Sequence, residues 1–243
     1  MSGRTAHVRA YKDSTRLTLA LIAVLAAFVV LAEVGIWSTF LEIALLERAL
    51  AVGHFHADEL AADQDRRALV GGLQLLVFVV AAGLFLRWIH RMNANAHALS
   101  ASGMRYGPWA SIAWFFVPGF QFWKPLDALR ELFRASHPRR IEDWRAASVP
   151  HLLSLWWTLW LCFLLTMALA LLADVWAVSL GELYAAAWGT AVAGVVAAPL
   201  GVAAAVCVWR LHARQRARFR ATAPMRIRQP WPTRTGEDPE PVG

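Results

Sequence analysis

The chain has 243 residues, 58% of them apolar, and a formal net charge of +7. A soluble domain of that length has no core large enough to hide so much hydrocarbon, so the composition points into a lipid bilayer. The basic residues flank apolar runs rather than gathering in a patch, which argues against a nucleic-acid partner and for anionic lipid headgroups.

Residues 1–16 form a short basic tail ahead of the first apolar run, 17–40. The segment Ala32-Glu33-Val34-Gly35-Ile36-Trp37 offers no small-residue cleavage site and the run resumes beyond Glu33, so a retained signal anchor is expected. Glu33 lies about 24 Å along the helix, close to the far headgroups of a core about 30 Å thick. Leu41, Ala44, Leu45 and Ala49 keep a helical spacing past the run. The loop that follows is acidic and contains His54, His56 and Asp58, residue types that bind zinc. On a helix His54 and Asp58 would share a face, but no further His or Cys group follows in the loops to complete a tetrahedral set, so no metal is assigned. The second run, 68–89, ends at Arg87, Trp88 and Arg91, an interfacial anchor.

The stretch 109–123 imitates another crossing. It is 15 residues long, about 22 Å as a helix, and Pro118-Gly119 interrupts it. The expectation is a re-entrant or interfacial segment. Lys124 and Pro125 then open an amphipathic helix, 125–136, with Leu126, Leu129 and Phe133 on one face. This helix is expected to lie flat on the leaflet, with Lys124 against a carbonyl, a carboxylate or a lipid phosphate. The third run, 149–172, carries Trp156, Trp157 and Trp160. The fourth, 183–209, has a stripe of small residues, Ala187, Ala191, Gly194, Ala198, Gly201 and Ala205, expected to be a close-packing face within the bundle or between protomers. Residues 212–243 read as a basic helical extension followed by a Pro-rich, disordered tail.

The charges decide the topology. Of 24 Lys and Arg residues, 21 fall on one side of these four runs and only Arg48, Arg66 and Arg67 on the other. That asymmetry predicts an all-α, polytopic membrane protein with a four-span domain over 17–211 and both termini in the cytoplasm. Cys162 and Cys207 lie inside runs and read as buried apolar side chains, not a disulfide. No nucleophile–base set, phosphate loop or dinucleotide fingerprint is found, so neither an enzyme nor a cofactor is expected.

A motif region, 88–136, carries a resemblance. It contains Trp88, Arg91, Asn93, Arg105, Pro108-Trp109, Trp114-Phe115-Phe116-Val117-Pro118, Trp123-Lys124-Pro125 and Glu131. With its order of runs, this resembles the bacterial domain-of-unknown-function 4328 family of integral membrane proteins. Gly107-Pro108 and Gln121-Phe122 depart from the family pattern, which usually has Pro-Gly and often Asn-Leu there. The resemblance implies class and architecture but no reaction. Arg91, Asn93, Arg105, Lys124, Arg130 and Glu131 are expected to gather at the cytoplasmic mouth of the bundle. The expected function is a structural, lipid-binding or partner-binding module of a bacterial inner membrane. The alternative is a small transporter or channel using 109–123, with the fourth run's small-residue face making a homo-oligomer.

Overall fold

The computed structural model describes residues 11–228 except 100, 102 and 139–143, with side chains described as far as 221. Residues 1–10, Arg139, Arg140 and the Pro-rich stretch after 230 lie outside the described residues. The chain forms α1 (Thr15–Val52), α2 (Ala57–Ala98), a single turn α3 (Ala110–Ala113), α4 (Lys124–Ala135), α5 (His151–Trp176) and α6 (Leu180–Arg228). Helices α1, α2, α5 and α6 are each long and apolar enough to cross a membrane. Both described chain ends and the 99–150 connection lie at one end of the bundle, called here the terminal end.

At 38 and 42 residues, α1 and α2 are about 57 and 63 Å long, roughly twice the hydrocarbon thickness. Their joined tips therefore project beyond the far side. The turn between them closes on Gly53, whose N–H donates to the Ala49 carbonyl at 2.8 Å. All three far-side arginines are committed to this region. Arg67 reaches Glu42 of α1 at 2.6 Å and Asp174 of α5 at 3.7 Å. Arg66 pairs with Asp63 and donates to the Ser38 carbonyl and hydroxyl. Arg48 lies 3.9 Å from Glu59.

The helices pack in the order α2, α1, α6, α5, and α2 and α5 barely approach each other. The small-residue stripe of α6 makes the central contact possible. A Cβ added at Gly201 would lie 2.6 Å from a Val29 methyl and 3.0 Å from the Phe28 ring, and one at Gly194 would lie 2.7 Å from Ile36. At Gly194 and Gly201 the stripe is thus taken up by α1 within the chain. Trp188 and Trp209 are both partly exposed on the outside of α6, as membrane-interface indoles would be.

One expectation is corrected. The amphipathic α4 does not lie with its apolar face in the leaflet, because Leu129, Leu132, Phe133 and Ala135 are buried in the main core. The basic tail is fixed at its inner end. Asn95 brackets Lys12, accepting from its N–H at 3.1 Å and donating to its carbonyl at 2.9 Å. Asp13 then accepts from the Thr15 hydroxyl and N–H, and those bonds hold its carboxyl below the usual carboxylate range. The basic extension beyond 212 is part of α6, and Leu211, His212, Gln215 and Arg218 on it are buried.

Replacing Gly201 with Leu should lower stability by about 1–3 kcal/mol, the cost of overpacking, and reduce the melting temperature in detergent. Gly83→Leu, where nothing lies within 4 Å of an added Cβ, should leave it unchanged.

Candidate functional site

The connection from Leu99 to Pro150 contains α4 but is otherwise mostly irregular, and its backbone groups need partners supplied by other elements. Side chains supply them. Asn93 of α2 donates to the Tyr106 carbonyl at 3.1 Å. Glu131 of α4 accepts from the Arg105 and Tyr106 N–H groups at 2.7 and 2.9 Å. Arg145 donates to the Gly103 carbonyl at 2.8 Å, and the Trp157 indole donates to the Phe122 carbonyl at 2.9 Å. The carboxyl end of α4 is held the same way from α6. Arg214 donates to the Phe133 carbonyl, Arg218 to that of Ala135, and Gln215 to the Ser136 hydroxyl at 3.1 Å and the Met92 carbonyl at 2.8 Å. Cationic donors suit a helix C-terminus, where unbonded carbonyls concentrate negative charge.

The expected break in 109–123 is present. The α3 turn is closed by Ser111, which bonds the Gly107 and Pro108 carbonyls at 3.0 and 2.8 Å. Gly119 follows with φ +79°, a value that favours glycine, and a 3-10 turn covers Phe120–Phe122. Pro125 then occupies the first turn of α4. The outer side of this hairpin is strongly aromatic: Trp109, Phe116, Phe120, Phe122 and Trp123 are all exposed. Exposed irregular backbone is not sustained in hydrocarbon, so these rings mark insertion to the interface and no deeper.

Inward of the hairpin, the gap between α2 and α5 holds an apolar chamber of about 240 Å³. Its walls are Phe78, Ala81, Ala82, Phe85 and Leu86 of α2, Trp156 and Trp160 of α5, and apolar residues of α1 and α6, with Phe115 and Phe116 as the cap. Aromatic rings bridge the gap that the backbones leave. Phe78 stacks on Trp160 at 6.1 Å, Phe85 meets Trp156 at 5.6 Å, and Phe115 stands edge-on to Phe85 and Trp157 at 6.2 Å from each. Phe116 is 67% exposed and stands at the rim, so the chamber is not closed. The lining side chains are aliphatic or aromatic, and their polar groups are the indole N–H groups of Trp156 and Trp160.

The motif residues share the terminal end, but their charges do not form one cluster. Trp88 is buried and donates to Thr18 of α1 at 3.1 Å. Arg91 is half-buried on α2, and Arg105 contributes its backbone N–H to Glu131 while remaining exposed. Trp109 lies against His90, with ring centres 4.7 Å apart. Trp114 and Trp123 flank Phe120, each at 5.5 Å, and Pro118 is exposed beside the Gly119 turn. Within the chain Lys124 lies over the Trp114 ring, 5.6 Å from its centre, a cation–π contact. Arg130 reaches the Ser154 hydroxyl at 3.2 Å and Asp127 at 3.8 Å. In the far turn, His54 precedes α2 rather than joining a helix with Asp58, so the shared face is lost. The two His rings meet edge-on at 5.4 Å. No group of three or more His, Cys, Asp or Glu among the described residues is arranged to hold a metal.

Sequence reasoning missed Thr18, Asn95, Gln215 and the chamber. For Gln215 a signal was available: Leu211, Gln215 and Arg218 repeat at i, i+4, i+7, the spacing of a buried face continuing past Trp209. The chamber had none, because its walls come from five separate segments.

Fold and site together define a four-helix membrane protein whose bundle is open along one flank and capped at the terminal end by a broken aromatic hairpin. A family model described as Domain of unknown function (DUF4328) matches residues 53–213, more than half of the chain, and the protein belongs to that family. No curated protein and no solved structure matches it.

Glu131→Gln preserves shape but replaces one acceptor oxygen with a donor, so one of the two N–H bonds is lost. Amide exchange at Arg105 and Tyr106 should quicken on the order of tenfold, given ~1.5 kcal/mol for a hydrogen bond to a charged group. The mid-helix amides of α2 should not change.

Proposed function

We propose that this protein is a non-enzymatic lipid-binding module that holds one hydrocarbon chain of a membrane lipid in the chamber between α2 and α5. The observation that carries this reading is the almost wholly apolar lining of an open space between helices long and apolar enough to cross a membrane. A cavity of about 150 Å³ already takes up benzene, so about 240 Å³ suits a segment of a single chain. The lining has no group to protonate or attack a substrate, which favours binding over chemistry. The aromatic hairpin is the lid, fixed by Trp157 and Lys124 and seated at the headgroup level. In this reading the terminal end faces the cytoplasm of a bacterial cell, supported by the placement of 21 of 24 basic residues there.

The test is lipid retention. Protein purified in mild detergent and exchanged into a delipidating one should keep a lipid that mass spectrometry detects. Ala82→Phe, which fills the chamber from a half-buried wall position, should reduce that retention several-fold with little change in melting temperature. Equal retention overturns the proposal, and ion or solute flux through the reconstituted protein would favour a conducting pathway along 109–123 instead.

Orientation is checked separately in a background with Cys162 and Cys207 replaced by Ala. A cysteine at Ala62, exposed near the α1–α2 tip, should react with a membrane-impermeant thiol reagent in intact cells. One at Ala146, exposed at the terminal end, should react only after lysis.

A further inference from the structure

A second recess lies on a different face of α6, away from the chamber. The segment Ser148–Pro150 and the α6 residues Trp209, Arg210 and Arg214 enclose an open groove of about 530 Å³. Arg214 is held in its wall by its own bonds, donating to the Ser148 carbonyl at 3.2 Å and stacking over the Phe133 ring at 5.5 Å. Its charge therefore stays in place rather than swinging into solvent. Arg210 projects from the same wall, one turn earlier, and is exposed. Two guanidinium groups one turn apart on a helix make a recess suited to a phosphate, which such groups bind through paired N–H donors.

The surroundings indicate where that phosphate comes from. Val195, Val202 and Trp209 recur every seven residues along α6 and are all more than half exposed, forming an apolar track that ends at the groove. Trp209 sits where the apolar run stops and the arginines begin, the usual depth of an interfacial indole. Cationic recess above and hydrocarbon track below match the two parts of a phospholipid. A soluble anion would use only the first.

We propose that the groove formed by Ser148–Pro150, Trp209, Arg210 and Arg214 is a binding site for the phosphate headgroup of an anionic phospholipid in the leaflet at the terminal end, with an acyl chain along Val195 and Val202. The site is separate from the chamber and does not depend on it.

The experiment uses the full chain in bilayer discs of phosphatidylcholine containing a minor share of phosphatidylglycerol, with the lipids that remain attached counted by native mass spectrometry. The parent should retain phosphatidylglycerol in preference to phosphatidylcholine. Arg210→Gln should weaken that preference by more than the roughly fivefold that one arginine contributes through diffuse attraction to an anionic surface. Arg216→Gln, an exposed arginine on the side of α6 near Asp13, should stay within that limit. Equal losses in both variants would reduce the site to ordinary surface charge, and no loss in either would remove it. Inorganic phosphate added to the parent in pure phosphatidylcholine separates the two sources. No gain in melting temperature there supports the lipid, whereas stabilisation there overturns it in favour of a soluble anion. Because Ala82→Phe leaves the groove intact, it should not alter this preference, so the two sites stand or fall independently.

Discussion

Near hydrocarbon, an unbonded backbone N–H or C=O costs several kcal/mol, and a helix avoids that cost only along its own length. This chain places a connection of some fifty residues, mostly non-helical outside α4, against the end of a four-helix membrane bundle. The polar chemistry of the terminal end follows from that. Asn93, Glu131, Arg145, Trp157, Arg214, Gln215 and Arg218 all bond backbone groups of the connection or of the elements it joins. These side chains take the place of the regular backbone bonds that an irregular connection does not form for itself.

The same requirement explains the open flank. With the connection tied to α2 on one side and to α5 and α6 on the other, α2 and α5 are held apart instead of collapsing together. Their separation is filled by ring-to-ring contacts, which span a greater distance than aliphatic packing does. A chamber bounded by flat, stiff rings does not close readily, which is why an apolar space persists beneath the hairpin. On the opposite flank the small residues of α6 bring α1 close enough for backbone and side-chain packing to hold the bundle. At the far end, Arg67 between Glu42 and Asp174 ties α5 to the α1–α2 pair. The bundle is thus fixed at both ends and along one side, and the flank between α2 and α5 stays open.

What the sequence determined by itself was the partition between lipid and water. Apolar run length, the Pro118-Gly119 break and the sorting of arginines each depend on local transfer energies, so the four crossings and the failure of 109–123 to become a fifth are legible residue by residue. The close-packing role of Gly194 and Gly201 was legible for the same reason, since thinness on one helix face is a property of spacing alone. Only the tertiary structure decided which partner each polar residue meets. Glu131 was expected among basic side chains and instead accepts backbone N–H groups. Lys124, expected on a carbonyl, a carboxylate or a lipid phosphate, meets the Trp114 ring within the chain. The apolar face of α4 turned to the protein rather than to the leaflet, because α2 and α6 offer it a packed core with satisfied helix ends. Hydrophobic periodicity records that a face is apolar, not what covers it, and hydrogen-bond partners separated by up to 197 positions in the chain leave no mark on local sequence.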